Sequence, residues 1–248
     1  MIFSALTILP LSVTIIGAAF AIVIINHYMA GRRRPHELMW GIAFLLFAIG
    51  SACQVFADLN GTWTAPLART YYLTGAILNV GFLGLGTVYL LFSRRIANIA
   101  LGIMVVLTLL SVVVLFTVPV DSSVLSQEAG WKAVAVISTT PRWLAAIVNT
   151  LGTLLVAGGA LWSAYVFWRK RIMKSRMVGV LLLAAGTILV AVGGTITGLT
   201  GLKNHDYLYL TMAVGVIVMF LGYLQTIRPV TNPQSNVPQP APERTPTS

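Results

Sequence analysis

Two stretches place polar side chains at helical spacing inside apolar surroundings. Between residues 69 and 86, Arg69, Tyr72, Ala76, Asn79, Leu83 and Gly86 alternate three and four apart, so one helix face carries them all. Between residues 142 and 163, Arg142, Ala146, Asn149, Thr153, Val156, Ala160 and Ser163 repeat the pattern. Each face has an arginine at one end and an asparagine two or three turns further in. Gln54 sits at a comparable depth in a third apolar run. Amides, phenols and hydroxyls donate and accept hydrogen bonds without ionising and a guanidinium donates, so Gln54, Arg69, Tyr72, Asn79, Asn149 and Thr153 form a candidate binding set for a small ligand. The competing role for such groups is to tie helices together, at roughly 0.6 to 2 kcal/mol each.

Other chemistries fail on residue type and count. No paired carboxylates, H-E-x-x-H, C-x-x-C or nucleophile–base set lies in an apolar run. His27 and His36 fall near one end of the runs and His205 near the other, so no pair stands at one depth for haem. Cys53 is the one cysteine and reads as a small packing residue. "GFLGLG", beginning at Gly81, lacks the dinucleotide spacing and follows no strand. No metal site and no cofactor is expected, and a non-enzymatic role follows. Asp58, Arg69, Arg142 and Asp206 lie at helix ends, and the scarcity of ionisable groups deeper in argues against a proton-coupled pump.

The elements that must position these residues are long apolar runs. Hydrophobic residues make up 57% of the 248 and charged ones 9%, against roughly a quarter charged in soluble domains. Too little polar surface remains to cover a water-soluble fold of this size. Seven runs can cross a bilayer: 2–29, 38–57, 67–92, 96–118, 143–168, 177–200 and 207–227. They show no period-two alternation, so the expected fold is all-α and polytopic rather than a barrel. The first run has no basic residue before it and is expected to remain as a span rather than a cleaved leader.

Basic residues give the orientation. Arg32, Arg33 and Arg34, then Arg94 and Arg95, then Arg169, Lys170, Arg171, Lys174 and Arg176 occupy alternate connections, with Arg228 and Arg244 beyond the last run. The other side has Arg69, Lys132, Arg142 and Lys203. The N-terminus is therefore expected outside and the C-terminus in the cytoplasm, in the cytoplasmic membrane. The clusters at 32–34 and 169–171 act as topology signals, with lipid headgroups as their second role. The net charge of +10 lies in these clusters and not in a stripe interleaved with aromatics, so no nucleic-acid partner is expected. Residues 1–228 form one transmembrane domain. The Pro-rich 229–248 has almost nothing to bury and is expected to be a disordered cytoplasmic tail. In the long external loop, 124–127 and 131–136 are expected to form short interfacial helices.

A weak self-similarity runs through the chain. "YYLTGA" at Tyr71 matches "LYLTMA" at Leu208, and the basic loops before Gly41 and Gly179 correspond. Two parallel three-helix units joined by the fourth helix would explain both. Glycines at "GFLGLG", "AGGA" and "GGTITG" mark close helix approaches, within the chain or toward a membrane-protein partner or second copy.

Seven helices in a 3+1+3 plan resemble the layout of microbial rhodopsins and of the PQ-loop sugar carriers. The last run holds no lysine for retinal, and no PQ dipeptide lies in a span. Through "RRRPHELMWGIAFLLFAIGS" and "ARTYYLTGAILNVGFLGLGTVYLL" the chain also looks like bacterial seven-helix membrane proteins, a resemblance that implies no activity. The expectation is an accessory subunit, sensor or small-ligand binder, with a carrier for a small neutral or lipid-like substrate as the alternative.

Overall fold

A chain this apolar must satisfy its backbone polar groups within each run, which in lipid favours helix. The computed structural model describes residues 5–31, 33–127, 130–134, 139–170, 174–200 and 206–227, and every regular element among them is helical. Seven helices are long and apolar enough to cross a membrane. They are α1 (Ala5–Ala30), α2 (Pro35–Asn60), α3 (Ala65–Leu91), α4 (Arg94–Thr117), α5 (Thr139–Lys170), α6 (Lys174–Thr200) and α7 (Asp206–Ile227). The expected tail at 229–248, together with Arg32, Arg171, Lys203, His205, Arg228 and Arg244, lies outside the described residues.

Local chemistry sets several boundaries. Pro35 opens α2 at a position where its missing N–H costs nothing. Gly61 closes α2 in the left-handed conformation, φ 69°, and its N–H returns to the Asp58 carbonyl. α4 stops at Thr117 because Val118 precedes a proline and turns extended. In the loop that follows, Ser122–Leu125 forms one helical turn and Gly130–Lys132 a 3-10 turn. This loop packs on the α2–α3 turn: the Trp63 N–H donates to Leu125 O at 3.1 Å, and the Trp63 side chain is buried.

Six helices form a ring in the order α1, α2, α3, α5, α6, α7, with α7 closing on α1. α4 stands outside against α3 and α5. It buries only Ala97, Met104, Ser111 and Leu115, a single stripe, and leaves Ile99, Ile103, Val106, Leu110 and Val113 exposed as lipid-facing positions would be. One end of the ring carries Arg33, Arg34, Arg94, Arg95 and Arg169 and is called here the basic end. The packed loop lies at the opposite, loop end.

Apolar helices gain little from avoiding lipid, so their association depends on close packing. The glycines provide it within the chain. A Cβ on Gly84 of α3 would lie 2.9 Å from the Gly152 Cα of α5. One on Gly186 of α6 would lie 2.5 Å from the Gly215 carbonyl of α7. Gly86 leaves room for the ring of Trp40, whose indole N–H donates to Leu83 O at 3.3 Å. Gly158, by contrast, faces open space.

Candidate functional site

A cleft of about 600 Å³ opens among α3, α5, α6 and α7 in the loop half of the ring. Tyr72, Ala76 and Val80 line it from α3, and Asn149, Thr150 and Thr153 from α5. Gly194 and Thr195 of α6 and Leu208 and Met212 of α7 complete the wall. Asn149 donates its amide to the Ala76 carbonyl at 2.6 Å. Its other atom, Oδ1, is buried with no hydrogen-bond partner. The walls are mainly apolar with a few neutral polar groups, and the volume falls in the range of small-molecule sites. Such a surface can hold a small, largely apolar ligand.

The expected polar face of α3 is only half right, because the helix changes winding. Tyr72–Leu78 is a π-helical segment flanked by α-helix. A π segment takes more residues per turn, so every residue after it rotates to a new heading. Up to Ala76 the expected face holds. Beyond it the cleft wall continues at Val80 rather than Asn79, and the approach to α5 falls on Gly84 and Thr87 rather than Leu83 and Gly86. Asn79 is buried, 4% exposed, but does not line the cleft. α5 has no such segment, and Asn149 and Thr153 do line the cleft.

Two further candidate residues stand elsewhere. Arg69 donates from Nη2 to the Val118 carbonyl at 3.0 Å, capping the end of α4, and its guanidinium carbon lies 5.7 Å from the Phe116 ring centroid. It is a strut between α3 and α4 and not a cleft residue. Gln54 accepts from the Tyr209 hydroxyl at 3.0 Å and donates to Asp58 Oδ1 at 2.7 Å. Gln54 and Tyr209 are 3% exposed, so this chain is an interior tie between α2 and α7. Arg142 is exposed.

Among the basic residues, Arg33 is exposed with φ 48°, a left-handed turn rare outside glycine. Arg34 is exposed just before α2. Arg169 is exposed and donates to the Tyr165 hydroxyl at 3.4 Å. Lys170 ends α5. In the loop, Asp121 accepts from the Ser123 hydroxyl at 2.6 Å and from its N–H at 2.9 Å. These bonds hold its carboxyl below the usual value of 3.8.

Sequence reasoning missed Glu37. The apolar run was started at Leu38, one residue too late, whereas α2 begins at Pro35 and Glu37 is only 1% exposed. Pro35 at the first helical position was the signal that could have moved the boundary. Glu37 Oε2 lies 3.2 Å from His27 Nδ1, and its Oε1 is buried without a partner. Among the described residues, no group of three His, Cys, Asp or Glu side chains gathers to hold a metal ion.

Comparison with family models, with curated proteins and with solved structures finds no match to this chain.

Proposed function

We propose that this chain is a non-enzymatic multi-pass protein of the cytoplasmic membrane, N-terminus outside, that binds a small, neutral, largely apolar ligand in the cleft. The observation behind this reading is Asn149, which lines a 600 Å³ cleft beside Tyr72 and Thr153 and whose buried Oδ1 has no hydrogen-bond partner. An amide oxygen withdrawn from water without a hydrogen bond costs about 1 to 3 kcal/mol. A binder of this kind serves as a sensor or as an accessory subunit. The test is purification in mild detergent followed by mass analysis of what the protein retains. The wild type should retain a small molecule that Asn149→Leu loses. Equal retention by both would count against the cleft.

A carrier is the second reading. It is favoured by a separate pocket of about 190 Å³ at the basic end of the same ring, so that cavities stand toward both ends. The position of α4 outside the ring suits the linker of two parallel three-helix units. The π segment bordering the cleft is a local irregularity of the kind that often accompanies functional sites. Single cysteines at Thr153 and Ser163 test this reading. In a carrier, ligand changes their labelling in opposite directions; in a binder, only the Thr153 position becomes protected.

A further inference from the structure

The basic-end pocket has a chemistry unlike that of the cleft. About 190 Å³ of space is bounded by Glu37, Arg34 and Trp40 from α2 and the turn before it, by Ser163 of α5, and by Val180 and Thr226 of α6 and α7. Glu37 is 1% exposed, and the ring places it at the inner side of five helices rather than at the lipid surface. One carboxylate oxygen meets His27; the other, Oε1, has no partner. Tyr223 of α7 is fully buried and also has an unpartnered hydroxyl. A buried carboxylate left half satisfied is costly, and such an atom calls for a donor.

We propose that this pocket binds a primary ammonium group, paired with the Glu37 carboxylate. The assignment does not depend on what fills the cleft. A carboxylate oxygen only accepts, so the occupant must donate, and a cationic donor makes the strongest such bond. The space exceeds that of a single water, about 30 Å³, several-fold. Trp40, Leu90, Val180 and Ile227 give apolar walls for the carbons attached to the nitrogen. Arg34, exposed at the mouth, can meet an anionic group about four or five bonds away from the ammonium, as in a phosphoethanolamine headgroup. Ammonium of this kind reaches the pocket either on a free small amine or on an ethanolamine lipid headgroup.

Two arms distinguish these sources with the full-length protein. In the first, thermal unfolding in detergent is followed against ethanolamine and against ethylene glycol, its uncharged counterpart. In the second, native mass spectrometry measures retention of phosphatidylethanolamine against phosphatidylcholine, whose nitrogen carries no N–H. A saturable shift with ethanolamine alone identifies a free amine. Preferred retention of phosphatidylethanolamine identifies the lipid. Either effect should fall at least about tenfold in Glu37→Gln. The proposal is overturned if the wild type discriminates in neither arm, or if Glu37→Gln keeps the preference. If that variant does not fold, the wild-type comparisons decide alone.

Discussion

The side-chain amide of Asn149 reaches across from α5 to the carbonyl of Ala76, 2.6 Å away, inside the π-helical segment of α3. One residue thus joins two helices, lines the cleft, and keeps an amide oxygen that no protein group uses. Replacing Asn149 with leucine should lower stability by about 1 kcal/mol, read as detergent or thermal unfolding, and abolish ligand retention. A stability loss with retention intact would reduce Asn149 to a structural tie.

Asn79 and Gln54 supply the contrast. Neither lines the cleft, so Asn79→Leu and Gln54→Leu should leave retention unchanged. Gln54→Leu removes the acceptor for Tyr209 and the donor to Asp58. Because Tyr209 stays buried, unfolding should show a loss of about 1 to 3 kcal/mol. Loss of ligand from a folded Gln54→Leu protein would mean that the binding site extends toward α2.

Glycine contacts give a prediction with an internal control. Gly152→Ala would press a methyl against the Val80 carbonyl and should cost about 1 to 3 kcal/mol in thermal unfolding. Gly158 lies two turns along the same helix and meets nothing, so Gly158→Ala should be neutral or stabilise by about 0.5 to 1 kcal/mol. Similar destabilisation by both would contradict the α3–α5 contact.

Asp121 should make the loop acid-sensitive. Its folded pKa is depressed, so its contribution to the loop is present above the ordinary value of 3.8 and is lost as pH falls through the lower folded value. Limited proteolysis near Ser122 should therefore accelerate only in strong acid. In Asp121→Asn this acid step should disappear.

Orientation is tested by reporters. A fusion after Arg228 should be active only in the cytoplasmic form, and one near Ser126 only in the external form. Neutralising Arg32, Arg33 and Arg34 together should yield mixed insertion of α1 and α2. The reverse reporter pattern would overturn the positive-inside argument.

The seven spans were legible because length and apolarity report directly on what can cross a bilayer, and their ends fell within a few residues of the helices. The α5 face was legible for the same reason: with no change of winding, Asn149 and Thr153 kept the expected heading. Asn79 was misplaced because winding is set by how α3 packs, and nothing in "YLTGAIL" marks the π segment. Arg69 was misread because its partner, the Val118 carbonyl, is 49 residues away. Glu37 was passed over because hydropathy ends a run at a charge, while burial depends on the neighbours that surround it.

The central claim is a ligand in the cleft beside Asn149, and filling that space tests it most directly. Thr153→Trp places a large ring in the cleft and leaves both partners of the Asn149–Ala76 bond in the chain. The quantity to measure is the small molecule released on denaturing purified wild type, Thr153→Trp and Gln54→Leu. The account predicts stoichiometric release from wild type and Gln54→Leu and none from folded Thr153→Trp. Equal release from all three would contradict it.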